Sequence, residues 1–266
     1  MTRSHPDQDD LVQVAHALAD AARGATLPYF RASGLATQNK AAAGFDPVTA
    51  ADRAAEQAMH DILRARRPED GIAGEELPPV DGTSGLTWVL DPIDGTRGFI
   101  SGTPTWGVLV AVADARGPLA GIIDQPYIGE RFFGGFGTSV VTGPRGTAPL
   151  ATCGPRPLDR ATLFTTFPEV GTDAERAAFD RVARGAQLVR YGMDCYAYAL
   201  LAAGQIDLVI EAGLKPYDIN APIAVIEAAG GLVTDWRGGP AHRGGQVIAA
   251  ANPAIHAAAL ALLTAA

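Results

Sequence analysis

The chain has 266 residues, of which 47% are hydrophobic, and a formal net charge of −8. This is enough apolar material to bury a sizeable core in one large domain or in two tightly joined halves. Because the chain is acidic, has no basic run, and has no apolar stretch of the roughly 18 residues that a membrane span needs, we predict that neither nucleic acid nor a membrane is a partner.

The first half is predicted to begin with two helices and to continue as a sheet. Apolar residues recur at helical spacing from Leu11 to Ala22, and Thr49-Ala-Ala-Asp52 opens a second helix. The polar segment between these helices, residues 31–44, is predicted to be a mobile loop. Short apolar runs separated by Gly and Pro then predict an antiparallel meander, with strands at 86–90, 105–113, 119–124 and 131–136.

The second half alternates between strands and helices. A Pro- and Gly-rich stretch, residues 144–157, is predicted to join the halves, so that 1–143 and 144–266 form two units of one compact molecule. Strands are predicted at 162–167, 187–191, 206–211, 232–235 and 247–250, and helices at 174–184, 196–203, 219–229 and from 253. This alternation predicts layered α/β packing.

Two features bear on where the protein works. Cys153 and Cys195 are far apart and belong to no Cys-x-x-Cys pair, so neither a disulfide framework nor a zinc site is predicted. The first ten residues are polar and acidic, unlike a signal peptide. We therefore expect a reduced, cytoplasmic setting.

The most informative stretch is residues 88–96, Trp-Val-Leu-Asp-Pro-Ile-Asp-Gly-Thr. It places two carboxylates, Asp91 and Asp94, at the end of a predicted buried strand. Two buried anions without a positive partner are costly, and the only cation close by in sequence is Arg97. Carboxylates and backbone carbonyls are the ligands that suit Mg²⁺ or Mn²⁺. The alternative is an ordinary turn, because Asp-Pro and Asp-Gly are common turn pairs.

Neighbouring residues extend this pattern towards phosphoryl transfer. Glu75 and Glu76 precede the strand, and Asp218 adds a carboxylate late in the chain. The backbone N–H groups of the Gly95-Thr96 turn can hold a phosphate. The chain lacks Cys-x5-Arg, Arg-His-Gly, Gly-x-Ser-x-Gly and P-loop motifs, and its histidines lie outside the acidic motifs. We therefore expect an activated water, rather than a side chain, as the nucleophile.

Thr49, Asp52 and Thr96 also have purely structural interpretations. Thr49 and Asp52 match the capping box of a helix, which explains both residues without any function. Thr96 could cap a short helix that runs from residue 97 to 101. Spacing alone favours these capping roles.

The ordered motifs Gly74-Glu-Glu76, Asp91-Pro-Ile-Asp-Gly-Thr96, Tyr217-Asp218 and Glu227-Ala-Ala-Gly-Gly231 resemble those of the inositol monophosphatase family. The resemblance spans nearly the whole chain. It implies an α/β fold, an αβαβα sandwich of the inositol monophosphatase and fructose-1,6-bisphosphatase type, and hydrolysis of a small phosphate monoester. It further implies two or three Mg²⁺ ions, for which Mn²⁺ can substitute, sensitivity to lithium, and a homodimer.

The same resemblance implies roles for individual residues. The implied metal ligands are Glu75, Asp91, Asp94, Asp218 and the Ile93 carbonyl. Gly95 and Thr96 match the phosphate-binding backbone. Thr96 and Asp52 match the pair that orients the attacking water, which replaces the capping interpretation of both, and with Glu75 they form the implied catalytic set.

Finer features resemble the histidinol-phosphatase branch of that family. The residues after Gly95 are Thr-Arg-Gly, where general inositol phosphatases have Thr-Asn-Phe, and Asp194 stands where they carry a small apolar residue. Asp194 and Glu211 add negative charge that suits an ammonium or imidazole group better than a neutral polyol. Arg97 is a third candidate for substrate binding. Two alternatives stay open: Glu211 could bind a hydroxyl, as in inositol phosphatases, and Asp194 could cap a helix that starts at Tyr196.

These observations predict a Mg²⁺-dependent phosphatase acting on histidinol phosphate, late in histidine synthesis. The second candidate is an inositol-1-monophosphatase or a broad-specificity sugar-phosphate phosphatase. A candidate of another class is a non-catalytic descendant that binds a metabolite. The complete set of implied ligands argues against this last candidate.

Overall fold

The computed structural model describes residues 5–33, 37–39 and 47–265. Its helices are α1 Gln8–Thr26, α2 Ala50–Arg66, α3 Thr96–Ser101, α4 Asp173–Ala183, α5 Tyr196–Ala202, α6 Pro216–Ala228 and α7 Pro253–Leu263. Its strands are β1 Thr37–Asn39, β2 Pro47–Thr49, β3 Gly71–Gly74, β4 Thr87–Asp94, β5 Gly107–Asp114, β6 Gly117–Gln125, β7 Glu130–Gly135, β8 Thr138–Gly143, β9 Gly146–Pro149, β10 Thr162–Thr165, β11 Leu188–Tyr191, β12 Leu208–Leu214, β13 Leu232–Thr234 and β14 Gly245–Ala250. No described helix is long and apolar enough to cross a membrane.

Most of these strands form two sheets. The first has seven strands in chain order, β3 to β9, and all its pairs are antiparallel except β3 with β4. The second has five strands in the order β11-β10-β12-β14-β13, with parallel pairing on either side of β10. The short strands β1 and β2 pair with each other.

The two sheets and the helices stack as five layers. Alternate residues of the first sheet face opposite sides: Trp88 and Leu90 pack with α1 and α2, whereas Val89 packs with α5 and α6. The other side of α5 and α6 meets the second sheet, whose far face packs against α4 and α7. This period-two pattern is what buries both faces of a sheet. The predicted αβαβα sandwich is confirmed.

Two glycines let α6 approach the first sheet closely. A Cβ at Gly121 would come within 2.8 Å of the Ala221 Cα, and one at Gly134 within 2.5 Å of the Val225 Cα. Side chains at these strand positions would push the helix outwards. Because Asp218 lies in the first turn of α6, this close packing also fixes how near Asp218 comes to the end of β4.

The structure corrects some details of the sequence prediction. Residues 31–44 are not one loop, because β1 lies within them; residues 34–36 and 40–44 of that segment lie outside the described residues. The meander has two further strands, β8 and β9, whose small or polar residues gave a weak apolar signal. β9 lies inside the stretch 144–157 that was predicted to join the two halves, so the division of the chain at residue 143 stays a prediction.

Candidate active site

Carboxylates from three elements meet at one end of β4. Asp91 and Asp94 come from β4 and Asp218 from α6, and each offers an oxygen within 4.8 Å of the others. Glu75 follows β3, whose residue Gly74 is paired with Leu90, next to Asp91. Sequence reasoning predicted this convergence, although β4 and α6 are more than a hundred residues apart.

These residues carry like negative charges, which repel one another. Burial, reinforced by the charges of Glu75, Asp94 and Asp218, raises the pKa of Asp91 well above its usual value. Burial, with the charges of Asp194 and Asp218, does the same to the pKa of Asp94. Ionising all of these neighbouring carboxylates costs free energy unless a cation lies between them. A cluster of carboxylate oxygens is the donor set that hard divalent cations prefer, so these residues could hold a metal ion.

Backbone N–H groups hold the carboxylates in place. The Ile93 N–H donates to Asp91 Oδ1 at 3.0 Å, the Cys195 N–H to Asp94 Oδ2 at 2.5 Å, and the Lys215 N–H to Asp218 Oδ2 at 2.6 Å. The Ile93 carbonyl, the remaining implied ligand, accepts a hydrogen bond from the Thr96 hydroxyl at 3.1 Å. Each contact fixes the direction of a potential ligand atom.

Asp52 lies near this cluster and also caps α2. Its Oδ2 accepts hydrogen bonds from the Thr49 N–H at 2.8 Å and the Thr49 hydroxyl at 2.6 Å, so the capping box is formed. Its Oδ1 is buried and has no hydrogen-bond partner among the described residues. Burial raises the pKa of Asp52, and its charge in turn raises the pKa of Asp91. The capping role therefore leaves one oxygen of Asp52 for a second role.

Thr96 is not the cap of the short helix. Gly95 holds the N-cap position in a left-handed conformation, with φ of 82°, and α3 begins at Thr96. The capping interpretation of Thr96 was wrong by one residue, because Gly95 takes up the positive φ that a Thr would resist. The Thr96 side chain points back to the end of β4 instead of capping α3.

A cavity of about 390 Å³ opens beside the cluster. Asp94, Gly95, Thr96 and Asp218 line it, together with the three candidate substrate-binding residues Arg97, Asp194 and Glu211. The structure thus brings the predicted phosphate and substrate residues to one cavity with two of the predicted metal ligands, Asp94 and Asp218, whereas Glu75, Asp91 and Ile93 do not line it. Their roles stay predictions.

Asp194 does not cap α5. Cys195 is the N-cap residue and no side-chain bond caps that helix end. The carboxyl of Asp194 instead accepts a hydrogen bond from the Thr105 hydroxyl at 3.2 Å, and the backbone of Asp194 is left-handed, with φ of 47°. Burial raises the pKa of Asp194, against the Thr105 hydrogen bond and the positive charge of Arg97, which lower it. The alternative interpretation as a helix cap was wrong.

Glu211 is a buried acid of the same cavity. Its Oε1 accepts hydrogen bonds from the Thr166 N–H at 3.1 Å and the Thr166 hydroxyl at 2.6 Å. Burial raises the pKa of Glu211 to about 7, although these hydrogen bonds lower it. Thr166, the residue after β10, therefore holds Glu211 in place with two hydrogen bonds.

Three residues near the site were missed in the sequence. Phe167 lines the cavity, is 45% exposed, and lies under the Arg97 guanidinium at 4.8 Å from its ring centroid. Tyr198 also lines the cavity, and its buried hydroxyl has no hydrogen-bond partner in the described part of the chain. Glu56 is fully buried beneath the loop that carries Glu75. Of these three, only Glu56 could have been found from the sequence, because it lies one helical turn after Asp52 and therefore on the same, buried face of α2.

Known proteins share both this sequence and this fold. A model of the inositol monophosphatase family matches residues 7–266. The chain is 40% identical over 237 residues to the chloroplastic bifunctional phosphatase IMPL2 of Arabidopsis thaliana, covering 88% of this chain and 67% of the plant protein. It is 32% identical over 245 residues to a histidinol-phosphatase of Chlorobaculum parvum, covering 92% and 93% of the two chains. The structure of an inositol monophosphatase from Zymomonas mobilis matches with a TM-score of 0.85 at 39% identity, over 98% of this chain and 100% of that one. The chain therefore belongs to the inositol monophosphatase family of phosphatases.

Proposed function

We propose that this chain is a Mg²⁺-dependent histidinol-phosphate phosphatase, which hydrolyses L-histidinol phosphate to L-histidinol and inorganic phosphate. The observation that carries the proposal is the position of Asp194, which lines the same cavity as Asp94, Glu211 and Asp218. A phosphate bound at the acidic cluster would place its organic group beside two further carboxylates. Relatives named histidinol-phosphatase, each 32% identical to this chain, support the same substrate.

The acidic cluster supplies the ligands for the metal. Glu75, Asp91, Asp94, Asp218 and the Ile93 carbonyl would hold two or three Mg²⁺ ions, and Mn²⁺ accepts the same oxygen ligands. When bound, Mg²⁺ neutralises phosphate charge and lowers the pKa of a coordinated water, which makes a nucleophile available near neutral pH. The carboxylates repel one another, and a cation would relieve that repulsion.

Asp52 and Thr96 would hold the attacking water. The unpartnered Oδ1 of Asp52 can accept a hydrogen bond from that water while Oδ2 continues to cap α2. The Thr96 oxygen can accept a second hydrogen bond, because its own proton is donated to the Ile93 carbonyl. The backbone N–H groups of Gly95 and Thr96 would bind the phosphate oxygens. Each of these steps uses a group that the fold already holds in position.

The organic part of the substrate would be recognised by the remaining cavity residues. Asp194 and Glu211 can accept hydrogen bonds from an ammonium or an imidazolium group, and such charge-assisted bonds are stronger than neutral ones. Phe167 offers an exposed aromatic face on which a flat heterocycle can stack. A neutral polyol has neither a positive charge for the two carboxylates nor a flat ring for Phe167.

Two other functions compete with this proposal. An inositol-1-monophosphatase or sugar-phosphate phosphatase is favoured by the Zymomonas mobilis inositol monophosphatase structure, and Glu211 could accept a hydrogen bond from a sugar hydroxyl. A non-catalytic, metabolite-binding descendant is the candidate of another class. The clustered acids Asp91, Asp94 and Asp218 argue against it, since a protein without turnover does not need them.

A phosphate-release assay with a substrate panel separates these candidates. The panel contains histidinol phosphate, inositol 1-phosphate, fructose 1,6-bisphosphate and a nucleotide, each measured with Mg²⁺ and with EDTA. We expect release that depends on Mg²⁺ and a kcat/KM that is highest for histidinol phosphate. A higher kcat/KM for inositol 1-phosphate would support the second candidate, and no release from any ester would support the non-catalytic one.

We also propose that the protein is a homodimer, that it works in the cytoplasm, and that lithium inhibits it. Light scattering on the purified protein tests the first point. A mass of twice the 27.5 kDa of the chain supports a dimer, and a single-chain mass contradicts it. Fractionation of the native cells and inhibition by LiCl test the other two points.

A further inference from the structure

Glu56 is a fully buried carboxylate to which the proposed reaction assigns no role. It lies in α2, one turn after Asp52, and it is 0% exposed. A buried carboxylate is costly unless hydrogen bonds satisfy its oxygens. The partners of Glu56 therefore indicate why it is there.

Both oxygens of Glu56 bind the loop that carries Glu75. Oε2 accepts a hydrogen bond from the Glu76 N–H at 2.7 Å, and Oε1 accepts one from the Leu77 N–H at 3.0 Å. Gly74, at the start of the loop, lies against the same carboxylate, and a Cβ at residue 74 would overlap Oε1. The loop is thus fitted onto Glu56 by two hydrogen bonds and one close contact.

This loop brings Glu75 to the acidic cluster. On one side of Glu75, the β3–β4 pairing fixes Gly74 opposite Leu90. On the other side, the hydrogen bonds to Glu56 fix the backbone of Glu76 and Leu77. Glu75 lies between these two anchors, and it is the largest charged contributor to the raised pKa of Asp91. The backbone on both sides of Glu75 is therefore held, by the sheet on one side and by Glu56 on the other.

We propose that Glu56 is a positioning residue of the metal site, which holds Glu75 in place for a divalent cation by binding the backbone that follows it. The inference rests on the proposed metal-dependent function. One helix, α2, then aligns two parts of the site, because it carries Asp52 in its first turn and Glu56 one turn later. A carboxylate is required here, since an amide would turn an NH₂ group towards one of the two backbone N–H donors.

Direct binding of Mn²⁺ tests the proposal without any substrate. Free Mn²⁺ is followed by electron paramagnetic resonance during titration of the wild-type protein and Glu56→Gln. We expect Glu56→Gln to raise the dissociation constant about 10- to 100-fold, which is typical of residues that orient a metal ligand. A dissociation constant within about twofold of the wild type would overturn the proposal.

Asp70→Asn is the matched control. Asp70 is another buried carboxylate, and its hydrogen-bond partners are Arg67, Ser84 and Trp88, none of which belongs to the site. We expect this substitution to lower the midpoint of urea unfolding and to leave the affinity for Mn²⁺ unchanged. If it weakened Mn²⁺ binding as much as Glu56→Gln does, loss of stability would explain both effects and the proposal would be wrong.

Two further outcomes can be told apart. A wild-type protein that binds no Mn²⁺ would overturn the proposed metal-dependent function, and the inference with it. If Glu56→Gln shows no cooperative unfolding, Gly74→Ala decides, because it keeps every charge and displaces the loop from Glu56. Weaker Mn²⁺ binding by Gly74→Ala would then support the proposal, and unchanged binding would overturn it.

Discussion

The carboxyl group of Asp194 lies directly against Gly95, and a Cβ at residue 95 would come within 2.6 Å of the Asp194 Cγ. The next residue, Cys195, donates its N–H to Asp94. The turn before α5 therefore joins the candidate substrate residue to the end of β4. Because Asp194 also supports its surroundings, a test of its role has to keep its shape and backbone.

We predict that Asp194→Asn changes substrate choice more than it changes turnover in general. Asn tolerates the left-handed backbone of residue 194 better than Ala does, so the turn should be kept. A carboxylate that faces an ammonium is worth about 1.5–3 kcal/mol, so kcat/KM on histidinol phosphate should fall by roughly 10- to 150-fold. Steady-state kinetics on that ester measures the loss.

Inositol 1-phosphate and a simple aryl phosphate serve as internal controls for Asp194→Asn. Neither carries a cation that could bind Asp194, so their kcat/KM should change little. A folding defect would lower kcat/KM for all three substrates together. Equal losses on charged and neutral substrates would contradict the histidinol assignment and favour the inositol-phosphatase candidate.

Thr96→Val and Asp52→Asn test the pair that is proposed to orient water. If both residues hold the same water, each change should lower kcat by about 10²- to 10⁴-fold with little change in KM, and the double variant should be scarcely worse. Asp52→Asn also weakens the capping box of α2, so urea unfolding is measured in parallel. If the losses in kcat of the two single variants added up in the double variant, or if only the stability fell, Asp52 would be left with its capping role alone.

Asp91→Asn tests the repulsion within the acidic cluster. Asn keeps an Oδ1 that can accept the hydrogen bond from the Ile93 N–H, so the local shape should be preserved. Removing one of several mutually repelling charges should raise the free energy of unfolding in EDTA by about 1–3 kcal/mol. Mg²⁺ affinity should fall by more than the roughly 10- to 100-fold typical of residues one contact away from a metal. An Asp91→Asn protein that unfolds more easily than the wild type in EDTA would contradict the repulsion argument.

The family resemblance implied the sandwich, whereas a local pattern predicted layered α/β packing and the two acids at the end of β4. An apolar run of alternating faces ends at Asp91 and Asp94, and the turn residue Gly95 follows at once. Asp218 was noted in the sequence as a further acid late in the chain, but only the family resemblance implied that it is a ligand of the same site, because no local rule relates it to β4. Contacts made by tertiary packing are not encoded by spacing along the chain.

The remaining features were missed for different physical reasons. β8 and β9 pair with their neighbours through backbone hydrogen bonds, which depend little on the side chains, so the composition of these strands gave no clear signal. Phe167 ends a predicted strand as one more apolar residue, and only the fold shows that it is exposed beside Arg97. The helical spacing of Glu56 from Asp52 places it on the buried face of α2, but its hydrogen-bond partners become visible only when the loop after β3 is placed over it. In each case the deciding partner is distant in sequence.

Asp70 gives a prediction about stability and pH that does not involve the metal. Burial would raise the pKa of Asp70, but hydrogen bonds from Arg67, Ser84 and Trp88 outweigh it and lower the pKa below its usual value. A carboxyl whose pKa is lower in the folded state stabilises the fold above its unfolded pKa of about 4 and loses this effect as the pH falls through the folded value. Asp70→Asn should therefore lower the free energy of unfolding at pH 7 by about 1–3 kcal/mol. The difference from the wild type should shrink as the pH falls below about 4, because Asn does not titrate. Urea unfolding in EDTA at several pH values measures this difference, and a difference that stays constant into acid would show that the ionised form of Asp70 is not what stabilises the fold.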